Sequence, residues 1–129
     1  MSGAVEIDEL LRTMSPTRRP GSFVFVSVPQ EPAGLEPIAT VREDEGLTLV
    51  IDRDAADAAG LEYDFVAAMI TLRVHSALEA VGLTAAVATE LADAGISCNV
   101  IAGYFHDHLF VPTDRATEAV GLLEGLARR

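Results

Sequence analysis

Apolar residues recur along this chain at two spacings, and the switches between them mark out its elements. Ile7, Leu10, Leu11 and Met14 fall at i, i+3, i+4 and i+7, one stripe of a short helix. Ser15-Pro16 ends it, and Arg19-Pro20-Gly21 reads as a turn. Ser22 to Val28 is β-branched and aromatic and predicts a strand; Pro29, Pro32, Gly34 and Pro37 mark a loop. Ile38 to Arg42 predicts a strand, Glu43-Asp44-Glu45-Gly46 a hairpin turn, and Leu47 to Ile51 the return strand. Asp52 opens a short alanine-rich helix that Gly60 stops. Val66 to Val74 predicts a strand, with Ala68, Ile70, Leu72 and Val74 on one face and Met69, Thr71, Arg73 and His75 on the other. After a loop over residues 76–82, Leu83 to Ala94 reads as a helix that buries Leu83, Val87, Leu91 and Ala94, with Gly95 just past its end. Ile96 to Tyr104 and His106 to Val111 predict strands, the second stopped by Pro112. Thr113-Asp114 starts the last helix, whose buried stripe is Val120, Leu123 and Ala127.

These elements repeat. At an offset of 62, Leu47-Thr48-Leu49-Val50-Ile51-Asp52-Arg53 lies on Leu109-Phe110-Val111-Pro112-Thr113-Asp114-Arg115, each a strand feeding a helix through Asp-Arg. The halves read as α-β-β-β-α and β-α-β-β-α. A repeating βαββα pattern with helices on one sheet face is the ferredoxin-like architecture of the α+β class. The expected repeats are residues 1–64 and 65–129, the first lacking an evident first strand.

Composition narrows the function. The nine basic residues are all arginine, which removes Schiff-base chemistry and the P-loop lysine. The formal net charge is −11, and ten acidic residues face two arginines between positions 31 and 64. Such a balance argues against a nucleic-acid interface, which needs clustered positive charge. Half of the 129 residues are hydrophobic, enough to bury a core. One cysteine suits the cytoplasm. Glu6, Asp8 and Glu9 interrupt the first apolar stretch, so no signal peptide is expected, and no apolar run approaches a membrane-spanning helix.

Particular segments resemble a family of small bacterial proteins built from two ACT-like repeats. They are Ile70 to Ser76, Leu78 to Val87, Ala94 to Tyr104 and His106 to Pro112, with Arg19 to Phe25 and Glu43 to Leu49 in the first half. More distantly the chain is similar to the ACT-repeat arginine sensors of eukaryotic growth signalling. The resemblance implies a regulatory module that binds an amino acid, and sheets that pair into a homodimer. It also implies that Asp107 and Gly82-Leu83 contact the ligand.

The residues themselves support a site at the same place. In a βαββα unit the end of the first strand, the start of the helix and the second hairpin gather at one end of the sheet. Here that end holds His75, Ser76, Gly82, Leu83, Thr84 and Asp107. Gly82 lets a ligand approach the backbone, and the helix start suits a carboxylate. Asp107 shares strand parity with Leu109 and Val111, so it points to the helix side, where it can meet an ammonium or guanidinium group. A carboxylate receptor beside an ammonium receptor describes an amino-acid site. Its residues are Ser76, Gly82, Leu83, Thr84 and Asp107; the first half, which lacks a matching glycine before its helix, would supply the other wall. The acidic middle and the sensor resemblance make arginine the first ligand to try.

Other constellations are weaker. His75, His106 and His108 share a face but no carboxylate joins them, so they read as packed histidines and not as a metal site. Cys98 shares parity with Ile96 and Val100 and reads as a small buried hydrophobe. Ser76 beside His75 is no triad, because neighbours on an extended strand point apart. The expectation is a non-catalytic, cytoplasmic module with no cofactor, no metal, no nucleic acid and no membrane among its partners. The alternative is an interaction protein that docks another subunit on a sheet face made of Met69, Thr71, Arg73, His106, His108 and Phe110.

Overall fold

The computed structural model describes residues 3–73 and 82–129. In chain order the elements are α1 (Gly3–Thr13), β1 (Pro16–Arg18), β2 (Phe23–Val28), β3 (Ala39–Glu43), β4 (Gly46–Asp52), α2 (Arg53–Ala58) and β5 (Val66–Leu72). They continue as α3 (Leu83–Asp93), β6 (Asn99–Ala102), β7 (Asp107–Pro112), a 3-10 turn (Thr113–Arg115) and α4 (Ala116–Ala127). Two compact units result: Pro20–Ala68, and Met1–Arg19 together with Met69–Arg129.

In the unit Pro20–Ala68 the strand order is β3-β4-β2-β5, and β5 contributes only its opening residues. β2 pairs with β4 along its whole length, from Phe23↔Asp52 to Val28↔Leu47. The hairpin between β3 and β4 closes at Glu43↔Gly46, as the acidic turn predicted. Val24, Val26 and Val28 share one face with Leu47, Leu49 and Ile51, and both rows cluster with Ala56 of α2, while Val50 on the other face is buried too. Asp52 caps α2: its carboxylate accepts the backbone N–H groups of Asp54 at 3.0 Å and Ala55 at 3.2 Å. Three prolines and a glycine keep residues 29–38 out of a helix. Leu35 from that loop, with Leu61, Tyr63 and Val66, packs against the core. Numbered within the unit, the strand order is 2-3-1-4, that of a split βαβ fold whose first helix has become a loop.

The other unit holds the strand order β1-β5-β7-β6. β5-α3-β6-β7-α4 is the predicted βαββα series. β1 lies antiparallel to β5, with Pro16↔Leu72, Thr17↔Thr71 and Arg18↔Ile70, and takes the place of a fourth strand. α1 packs on α3 and α4 of this unit. No strand precedes α1 among the described residues, so counted along the sequence the first repeat does lack its first strand. The packed unit Pro20–Ala68 is four-stranded all the same, because β5 completes it.

β5 departs from its predicted alternation. Ala68, Ile70 and Leu72 are buried, but so are Met69 and Thr71. With β1 on one side and β7 on the other, it is a central strand. β6 is shorter than predicted: Ile96 closes the end of α3 instead, donating its N–H to Leu91 O at 2.9 Å after Gly95 at φ 74°. Arg115 donates to Ala94 O at 3.0 Å and satisfies another carbonyl at that helix end.

Candidate functional site

β5 and β7 are neighbours, and Thr71 near the end of one meets His108 near the start of the other, with Oγ1 and Nδ1 3.0 Å apart. Asp107 precedes His108 and opens β7 opposite Ala102 of β6. It therefore stands at the end of the sheet where β5 stops and, beyond residues 74–81, Gly82 introduces α3. Strand parity puts it on the side of Leu109 and Val111, away from His108.

Asp107 is only 8% exposed. Among the described residues no ion pair or hydrogen bond reaches its carboxylate. Burial raises its carboxyl above the usual range, and the nearby His108 and His106 pull the other way. His108 is held below the ordinary histidine range by burial first, then by His106 and Arg19. Its neutral ring is thus the favoured partner for the Thr71 hydroxyl, which is buried to 1% exposure.

At the start of α3, Gly82 adopts φ 97° and ψ −16°, a left-handed conformation that favours glycine. It caps the helix through its carbonyl, which accepts the Ala86 N–H at 2.9 Å. Among the described residues no side chain caps this helix and no acidic residue lies in its first turn, in contrast to α2 under Asp52. A helix start of this kind exposes N–H groups at the positive end of its dipole. Ile7 of α1 packs beside Gly82, with Cδ1 and Cγ1 3.3 Å from where a Cβ would stand. The Leu83 side chain is buried, so only its main chain is available, while Thr84 is exposed. Ser76 and His75 lie outside the described residues.

Among the described residues no three His, Cys, Asp or Glu side chains group as a metal would require. Cys98 is half-buried, and burial raises its thiol. The sheet face considered for docking is not available as drawn, because Met69, Thr71 and Phe110 are buried within the chain. Sequence reasoning missed Tyr104 and Phe105, which project from the loop between β6 and β7 at 80% and 64% exposure. Two adjacent aromatics where a turn was due were the available signal.

A sequence profile of the ACT domain matches residues 2–68, and a second ACT-domain profile matches residues 65–125. The chain belongs to the ACT-domain family. ACT domains have the ferredoxin-like fold, and both units here carry its strand order. Among solved structures, a protein of unknown function from Vibrio cholerae, described as a possible transport protein, is 51% identical with a TM-score of 0.87, covering 98% of this chain and 99% of its own. An Agrobacterium tumefaciens protein is 20% identical at a TM-score of 0.74, covering 88% and 89%. The ligand-free regulatory subunit of aspartate kinase from Thermus thermophilus is 9% identical at 0.67, covering 88% and 97%, and shares the fold. No curated protein matches the chain. Among the described residues no helix is long and apolar enough to cross a membrane.

Proposed function

We propose that this chain is a regulatory ACT-domain protein that binds a free amino acid where Asp107 meets the start of α3, and that it catalyses no reaction. ACT domains are regulatory, non-catalytic modules, and the regulatory subunit of aspartate kinase offers a structural precedent. The observation that carries the reading is the buried Asp107 carboxylate, which no ion pair reaches among the described residues. A buried charge without a partner is costly unless a ligand supplies one. At the same sheet end, the uncapped N-terminus of α3 suits a carboxylate. An α-amino acid brings both complementary groups. Gly82, Leu83 and Thr84 would bind through main-chain N–H groups, with Thr84 adding its hydroxyl, and Ser76 is proposed to join them.

The sequence repeats are proposed at 1–64 and 65–129, working as a cytoplasmic homodimer without a cofactor. A thermal-shift screen of the full-length protein against the twenty amino acids tests the reading. At least one is expected to raise the melting temperature in a saturable way, and a flat response at millimolar concentration would rule the function out. Sedimentation over a range of concentrations tests the dimer.

A further inference from the structure

The loop between β6 and β7 breaks a local rule. Gly103 donates its N–H to His106 O at 2.9 Å and so closes a loop of only two residues, Tyr104 and Phe105. Two-residue hairpin loops favour Asn, Asp and Gly, since the preferred turns need positive φ. No residue other than glycine has a positive φ among the described residues, so this loop does not adopt those turns. The turn between β3 and β4 also lacks positive φ at its two residues, but those are the polar Asp44 and Glu45, followed by Gly46. Here the chain instead holds two aromatic rings in solvent, edge to face, with centroids 5.0 Å apart. Gly103 itself has no room for a side chain, because a Cβ there would lie 2.8 Å from His106 O. A departure of this kind from turn chemistry is expected where a site needs the side chains.

The position of the loop suggests its use. Asp107 pairs with Ala102, and the rings begin two to three residues away. At roughly 3.3 Å per residue they lie about 7–10 Å from Asp107. An amino acid with its ammonium group on Asp107 has a side chain long enough to extend over them. We infer that Tyr104 and Phe105 form the side-chain subsite of the amino-acid site, and that the side chain they accept is apolar. The inference rests on the proposed function and deepens it. Covering exposed ring surface with an apolar group yields more than a cation gains on the same rings in solvent. Asp107 is already committed to the ammonium and is not free to pair with a cationic side chain as well. The subsite therefore disfavours arginine, the ligand that overall charge suggested.

Calorimetric titration with leucine, phenylalanine, alanine and arginine tests the subsite on three proteins: the wild type, the Tyr104→Ala/Phe105→Ala double variant and Asp107→Ala. The wild type is expected to bind leucine or phenylalanine at least about tenfold more tightly than alanine. In the double variant that ratio should fall to about one, while Asp107→Ala should lose all binding. A ratio that survives loss of both rings, or arginine as the tightest ligand, overturns the subsite and leaves the Asp107 site standing. Absence of binding by every amino acid removes the proposed function and the subsite together. Sedimentation of the double variant covers the remaining use of the rings: dissociation of a dimer with the ratio unchanged would assign them to contact between copies and overturn the subsite. Both rings are exposed, so circular dichroism is expected to show the variant folded.

Discussion

Replacing Gly82 by alanine tests how the start of α3 is built. At φ 97° and ψ −16°, Gly82 holds a conformation that costs a side-chain-bearing residue about 1–2 kcal/mol. The added Cβ would stand 3.3 Å from Cδ1 and Cγ1 of Ile7. Those atoms end a flexible side chain, so their displacement adds about 0.5 kcal/mol. The expected loss is therefore about 1.5–2.5 kcal/mol, or a melting temperature lowered by roughly 5–12 °C for a chain of this size. Thermal unfolding by circular dichroism at fixed pH and protein concentration measures it. Ile7→Ala beside Gly82→Ala should restore only the smaller, steric part. Gly121→Ala is the control: it sits within α4 with nothing within 4 Å of a new Cβ, and should stabilise by about 0.5–1 kcal/mol. A Gly82→Ala protein as stable as the wild type would refute the left-handed helix start.

Three further outcomes follow from the same structure. Asp52→Ala removes both hydrogen bonds to the start of α2 and should destabilise by about 1 kcal/mol in chemical denaturation. Thr71→Val takes the hydroxyl partner from His108 and should cost about 1–2 kcal/mol, with a changed His108 titration by NMR. Burial raises the Asp107 carboxyl, so the folded chain holds that proton more tightly than the unfolded one, and its contribution to stability falls as pH rises from about 4 through the folded value. Asp107→Asn removes this decline and should gain on the wild type across that window in pH-dependent melting; a constant difference between the two proteins would contradict the sign.

Much of the fold was legible in the sequence because local signals agreed with tertiary need. The SFVFVSV run, the acidic hairpin, Asp52 ahead of an alanine-rich turn and Gly95 after α3 each specify an element by short-range chemistry. β1 was not legible: Pro16-Thr17-Arg18 has neither length nor alternation, and only its pairing with Leu72, Thr71 and Ile70 makes it a strand. The burial of Met69 and Thr71 escaped for a related reason, since period-two alternation is read as one wet face while a central strand has none. At the site, strand parity grouped Asp107 with Leu109 and Val111, and all three are buried. That α1 would set Ile7 against Gly82 could not be read, because an amphipathic stripe says that a helix packs, not where. The Tyr104–Phe105 loop was passed over as a strand end, although its failure to look like a turn was the informative feature.

The central claim is that Asp107 holds the ammonium group of a free amino acid. Its most direct test is calorimetric titration of the wild type and of Asp107→Ala with whichever amino acid most raises the melting temperature. A single saturable transition is expected in the wild type and none in the variant, with both proteins folded by circular dichroism. Equal affinity in the two proteins would contradict it.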